Sequence, residues 1–237
     1  MKELTDRKLL DDYVRMHSIE SVFPKEIRPY LSLYSFELGE SVCSQGEVLE
    51  YVYVLVKGKL KIYTTSAEGK TLILSFKTPL EVIGDIEFVQ ETDIINTVEA
   101  VSPVIMIGVH RRVLKQWAES HLPLLQFLLH IVTRKFYVKS SSLSFHLMHP
   151  VDVRLASYLL SVSYDESDSL LRGQLSTEGL RDAANLIGTS YRHMNRIIQS
   201  FCEKGFIERK RGFIIVKDRK GLQALSGQSI YEPKKGE

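Results

Sequence analysis

Four side chains between Ser190 and Phe201 have the chemistry to read a nucleic-acid base. Arg192, Asn195, Arg196 and Gln199 are spaced so that they share one face of a helix. Arginine matches the O6 and N7 acceptors of guanine, and asparagine or glutamine matches N7 and N6 of adenine. Met194, Ile197, Ile198 and Phe201 occupy the other face, so the segment predicts an amphipathic helix with that side buried. Thr189 and Ser190 precede it, and Tyr191 opens it. A hydroxyl there caps the first turn, and the free amides beside it favour a phosphate.

Any solvated helix can carry such polar residues, so the preceding segment matters. Leu180, Ala183, Ala184 and Ile187 follow the i, i+3, i+4, i+7 rule. They predict a first helix, capped by Ser176 or Thr177 and running to about Ile187. Ala184 is small where a second helix would approach, and Gly188 suits the left-handed residue of a tight turn. This order reads as a helix-turn-helix whose second helix, 190–201, enters a major groove. Downstream, residues 206–208 and 213–216 read as two strands, with Arg209-Lys210-Arg211-Gly212 as their turn. Three cations at such a tip are expected to lie along a phosphate backbone. The chain as a whole is only +2, yet from 191 to 220 nine Lys and Arg face three Asp and Glu. The positive charge is concentrated where the reading helix stands.

Such a reading head needs elements to position it. From about Phe36 to Val109 the texture is β, with residues 51–56, 60–63, 71–76 and 104–109 as strands. Gly39, Gly46, Gly58, Gly69 and Gly84 punctuate them, which suggests a small antiparallel barrel or sandwich. Then the texture turns helical. Leu125, Leu129, Val132, Phe136 and Leu143 form a heptad-like stripe on a helix expected over 123–147, with Lys139 at the position skipped. Part of that helix packs on its own β domain. It is too long for a small barrel to cover, so the stripe is expected to be a parallel homodimer seam. His149-Pro150 breaks the helix and is the candidate hinge. Another helix is expected from Val151 to about Val162. A polar loop follows at 163–173, whose Asp165, Glu166 and Asp168 are a candidate contact for RNA polymerase.

Several function classes drop out. No segment is long and apolar enough to span a membrane, and the first 18 residues carry Asp6, Asp11 and Asp12 rather than a signal-peptide core. Cys43 and Cys202 lie far apart, which fits free thiols and a cytoplasmic protein. No cofactor or metal is expected. A cupin-like metal enzyme would need histidines on its strands, and residues 36–109 contain none. His146 and His149 are the one pair with a conceivable pH or metal-switch role.

At this point the chain resembles the CRP/FNR family of bacterial transcription regulators along nearly its whole length. The phrases Leu38-Gly39-Glu40, Gln45-Gly46-Glu47 and Tyr53-Val54-Leu55-Val56-Lys57-Gly58 are similar to the family's cyclic-nucleotide-binding-type β-roll. Gly84-Asp85-Ile86 stands where the family's phosphate cassette usually has Gly-Glu-Leu. Residues 187–198 resemble its recognition motif. Pro150 to Ala156 and Ser190-Tyr191-Arg192-His193 look closest to the YeiL-type branch. The resemblance implies an α+β chain in three parts. Residues 1–122 would be an antiparallel β-roll (a double-stranded β-helix) acting as sensor. Residues 123–149 would be the dimerisation helix and hinge, and 150–237 a winged helix-turn-helix. It also implies a homodimeric, sequence-specific regulator of transcription, not an enzyme, bound to a near-palindromic operator in double-stranded DNA.

Departures from the family sharpen this. Members that bind cyclic AMP have an Arg-Ser pair after the cassette, where this chain has Asp93-Ile94-Ile95-Asn96-Thr97-Val98. A phosphate buried there without a counter-charge would be costly. The effector pocket, expected around Gly84, Asp85, Ile86, Ile94 and Ile95, is therefore not expected to take cyclic AMP. The cysteine cluster of iron–sulfur relatives and the β-roll histidine of haem relatives are also missing. The alternatives left open are an unknown small-molecule effector, a redox event at Cys43, or constitutive activity without a ligand. Many relatives begin the reading helix with Arg-Glu, whereas this one begins Tyr191-Arg192 and keeps the common second-turn arginine as Arg196.

Overall fold

The computed structural model describes residues 1–69, 71–162, 174–177 and 180–226. They form two compact units. The first holds residues 1–65 and 74–135, and the second holds 66–73 and the described residues from 136 onward.

The β texture resolves into two antiparallel sheets. The strands are β1 (Lys2–Leu4), β2 (Leu31–Phe36), β3 (Ser41–Cys43), β4 (Tyr51–Lys57), β5 (Leu60–Thr65), β6 (Thr71–Lys77), β7 (Glu81–Ile83), β8 (Thr97–Ala100) and β9 (Val104–His110). One sheet runs β1-β2-β9-β4-β7 and the other β3-β8-β5-β6. β4 pairs with β9 from Tyr51↔His110 onward, with a bulge between Leu55 and Lys57. β4 explains its own sequence. Val52, Val54 and Val56 enter one core cluster, and Tyr53 and Leu55 enter another. Alternate residues of a strand point to opposite faces, so a strand with apolar cover on both sides is hydrophobic throughout. Gly58, at φ +92°, turns β4 into β5, and a Cβ there would collide with the Pro103 carbonyl.

Helices α1 (Arg7–Met16), α2 (Asp85–Gln90), α3 (Arg111–Ala118) and α4 (Leu122–Met148) complete this part of the chain. α4 extends the expected 123–147 by one residue at each end. On α4, Leu124, Leu128 and Ile131 are buried in the core cluster shared with α1 and the roll. Leu125, Leu129, Phe136 and Leu143 are exposed, and Val132 is half-buried. The predicted seam thus faces outward, while a second apolar row, one residue away, holds the helix to the roll.

In the second unit α5 (Val151–Val162) follows the break at His149-Pro150, as expected. Then come β10 (Gln174–Ser176), α6 (Leu180–Leu186), α7 (Tyr191–Glu203), β11 (Ile207–Lys210), β12 (Phe213–Val216) and α8 (Arg219–Ser226). β10, β12 and β11 make a three-stranded sheet in that order. Two expectations are corrected, the Ser176 cap and the length of the hairpin turn. Ser176 does not cap the first helix; its backbone pairs with Phe213 in the sheet. α6 is described over Leu180–Leu186, ending within a residue of the expected Ile187. The hairpin turn is shorter than expected, because Arg209 and Lys210 belong to β11 and pair with Ile214 and Phe213. α8, which lacks a clear sequence signal, buries Leu222. The expected polar loop with Asp165, Glu166 and Asp168 lies outside the described residues.

Candidate nucleic-acid interface

α7 is built as its sequence pattern demands. Ser190 is the N-cap, its hydroxyl accepting from the His193 amide at 3.2 Å. Met194, Ile198 and Phe201 are buried. Gly188, at φ +67°, makes the turn before it, and a Cβ there would meet an Arg154 guanidinium nitrogen of α5 at 3.1 Å. Both constraints hold the first turn of α7 in a set position. Arg192, Arg196 and Gln199 are exposed along one side, Asn195 is half-buried, and Thr189 is half-buried beside the exposed Ser190.

The wing behaves differently from a cluster of free cations. Ile207 and Arg209, two apart on β11, share one face of the strand. Ile207 is buried, and Arg209 donates from Nη1 to Asn195 Oδ1 at 3.0 Å. The next residues along, Glu208 and Lys210, form the other face. Glu208 accepts from Lys217 at 2.8 Å and lies 3.6 Å from Lys210. Arg211 is exposed at the turn. The three wing cations expected to act alike therefore have different surroundings.

Tyr191 links these pieces. Arg181 of α6 stands over its ring at 5.6 Å from the centroid. Hydrogen bonds from the Asn195 amide and then from Arg209 hold its phenol below the ordinary value. Arg181 escaped the sequence reading, because its role depends on which face of α6 looks at Tyr191.

The expected effector residues differ in burial. Ile94 is buried in the core, and Ile86 and Ile95 are 41% and 43% exposed. Gly84 caps α2 with a left-handed backbone, and Asp85 is the first residue of that helix. Asp85 is nearly inaccessible and has a partner that sequence reasoning missed. Lys135 Nζ of α4 donates to both of its carboxylate oxygens, at 2.8 and 2.9 Å, and to the Val82 carbonyl at 2.7 Å. It also lies 3.2 Å from Glu81, which Lys77 bridges at 2.7 Å. Burial pushes the Glu81 carboxyl up, but the Lys135 and Lys77 ammoniums outweigh it and hold it below the usual range. A signal existed. Leu124, Leu128 and Ile131 continue at the same spacing to Lys135, so a cation stands where the buried row predicts an apolar residue. A second carboxylate is also occupied, since Glu87 accepts from the Ile95 amide at 3.0 Å.

Cys43 is a poor redox trigger. Burial, then the charges of Glu87 and Glu47, push its thiol up to about 12, so the reactive thiolate is scarce. Among the described residues no group of three His, Cys, Asp or Glu could hold a metal. The His146 side chain lies outside the described set, so its pairing with His149 does not enter here. No helix among the described residues is long and apolar enough to cross a membrane.

Roll, long helix and winged helix-turn-helix are the parts of a DNA-binding regulator that carries a domain of cyclic-nucleotide-binding type. Comparison with known proteins agrees part by part. The family model of the cyclic nucleotide-binding domain matches residues 33–121. That of the Crp-like helix-turn-helix domain matches residues 153–225. The chain belongs to the CRP/FNR family of transcription regulators. It is 23% identical to the regulatory protein YeiL of Escherichia coli O157:H7, over 88% of this chain and 92% of that protein. It is 21% identical to the CRP-like cAMP-activated global transcriptional regulator of Mycobacterium tuberculosis strain H37Rv, over 84% and 88%. Among solved structures, a CRP/FNR-family transcriptional regulator from Eubacterium rectale matches the fold with a TM-score of 0.70 at 18% identity, over 86% of this chain and 93% of that one.

Proposed function

We propose that this cytoplasmic regulator binds a near-palindromic operator as a homodimer, and that it does so without cyclic AMP. The reading rests above all on the exposed row Arg192, Arg196 and Gln199 of α7. These side chains stand clear of the protein, at the end of the helix that a helix-turn-helix offers to the major groove. Thr189, Ser190 and the wing residues Lys210 and Arg211 hold the phosphates beside them. Tyr191, Asn195 and Arg209 complete the interface.

The homodimer is supported by the outward row on α4. Leu129, Phe136 and Leu143 are each more than 60% exposed in the single chain, which is unusual for large apolar side chains repeated along one stripe. A second copy of the same helix covers them, with Leu125 and Val132 in register. Residues 1–122 then serve as sensor, 123–149 as seam and hinge, and 150–237 as reading head. A two-fold dimer places its two α7 helices about 10 bp apart, in successive major grooves on one side of the duplex.

Insensitivity to cyclic AMP is supported by the partners of Asp85 and Glu87. The ammonium that meets Asp85, that of Lys135, is shared with Glu81, so a nucleotide phosphate at this point would face a carboxylate and a cation already engaged. The same observation favours activity without any anionic effector, since the chain supplies that site's counter-charges itself.

The test is selection of bound fragments from genomic DNA with the purified protein, with and without cyclic AMP. Recovery of two-fold symmetric sites, unchanged by the nucleotide, is expected. Failure to bind any fragment at low salt would sink the DNA reading, and sites recovered only with cyclic AMP would overturn the second half.

A further inference from the structure

The contact between the wing and the reading helix carries an inference about specificity, and it rests on the reading of α7 as the base-contacting helix. Asn195 and Arg209 are 14 residues apart, on different elements, and meet at 3.0 Å. An asparagine amide has one acceptor atom, Oδ1, and a pair of N–H donors. Left free, it can turn over and present either end, and the usual pairing with adenine uses both. Here the guanidinium donates to Oδ1 and so settles which way the amide faces.

Two further contacts stiffen this arrangement. Tyr191 lies one turn before Asn195 on the same face, and Asn195 and Arg209 both hold its phenol below the ordinary value. Arg181 lies over the Tyr191 ring. α7 and β11 thus meet at the Asn195 amide, and α6 reaches the neighbouring Tyr191 ring. Arg209 is on the helix-facing side of its strand with the buried Ile207, whereas Lys210 turns towards Glu208 on the other. The two neighbouring cations consequently do different work.

We infer that Arg209 is a positioning residue for base reading, which holds the Asn195 amide with its oxygen towards the wing. With the oxygen held on the wing side and one of its lone pairs taken by Arg209, the edge that the pair turns to a base is led by Asn195 N–H and unused guanidinium N–H groups. An edge made of donors matches guanine, which shows two acceptors, N7 and O6, in the major groove. It does not match adenine, which sets an acceptor beside a donor. The base opposite Asn195 is therefore guanine.

The experiment is selection from a randomised duplex pool with the full-length protein and its N195A, R209A, R209K and K210A variants. Thermal melting of each variant accompanies the selection, so that unfolding is not mistaken for lost preference. The position read by Asn195 is the one whose preference N195A erases. The wild type is expected to select guanine there, by roughly tenfold over adenine. R209A should erase preference at that same position and leave the others intact. R209K keeps the charge but not the planar fork, so it should lose the preference with a smaller fall in overall affinity than R209A. The double variant N195A/R209A should bind within about twofold of N195A, since the two act as one unit. K210A should weaken all sequences alike. If R209A leaves the selected sequence unchanged, or if the position is not guanine, the inference is overturned while the DNA reading stands. If the wild type selects nothing, the underlying reading fails instead.

Discussion

Arg196 and Lys210 carry the same charge into the same interface, yet their loss should look different. Arg196 is exposed on the reading face of α7, where a guanidinium can grip one base in two places. Arg196→Ala should cost about 1–3 kcal/mol of binding and relax the preference at one base pair. Lys210 meets only phosphate on this reading. Lys210→Ala should weaken all sequences alike and lower the salt slope by about 1. Fluorescence anisotropy on the selected operator and on a scrambled duplex separates the two. A scrambled site bound equally well by wild type and Arg196→Ala, with no loss on the operator, would place Arg196 off the bases. Arg196 was legible in the sequence because a helical face follows from spacing alone. The Arg209 contact to Asn195 was not. Three cations and a glycine read as a turn, and a turn gives no side-chain direction. Once Arg209 lies on β11, the period of two fixes which way it points.

At the scale of elements, α4 has two apolar rows with two tasks. The inner row, Leu124, Leu128 and Ile131, is buried against the roll. The outer row is exposed and is the proposed seam. Phe136 is 74% exposed, so Phe136→Glu should leave the folded chain intact while placing two carboxylates in the seam. Sedimentation should then show a monomer, and operator affinity should fall by roughly 100-fold or more, because two linked half-site contacts become independent. A variant that stays dimeric would move the interface elsewhere. Lys135 ends the inner row. Lys135→Met strands Asp85 as a buried carboxylate, leaves Glu81 with Lys77 alone, and should cost about 3 kcal/mol in urea unfolding. The same cluster makes stability acid-sensitive. Glu81 is held below the usual range in the folded chain, so its contribution is full above the unfolded carboxyl value. It is lost as the pH falls through the lower folded value. Glu81→Gln should flatten that acid limb, and an unchanged limb would show that other carboxylates dominate. The outer row was legible as a heptad-like stripe. The Lys135 contact spans 50 residues of sequence to Asp85, and no local period reports a pairing at that distance. β10 was missed for a related reason, since three residues are too few to show alternation.

For the whole molecule, charge is nearly balanced in number but not in place. The net charge is +2, while residues 191–220 alone hold nine Lys and Arg against three Asp and Glu. In the first unit several charges are engaged in pairs, as with Lys61 and Glu99 at 2.8 Å, Arg28 and Asp11 at 2.7 Å, and the Lys135 cluster. An overall near-neutral protein can therefore present a strongly positive face only where it meets DNA. Two such faces in the proposed dimer would place their Lys and Arg residues along both strands of one operator. Each phosphate neutralised releases condensed counterions, so log K should fall linearly with log salt. A dimer making about 6–10 phosphate contacts should lose on the order of 10³–10⁵ in affinity between 50 and 200 mM salt. Phe136→Glu should roughly halve that slope as well as weaken binding, since a monomer carries one face. The pair of measurements distinguishes charge from assembly. A full slope in a proven monomer would mean that one reading head alone makes all the phosphate contacts, and that the second copy adds none.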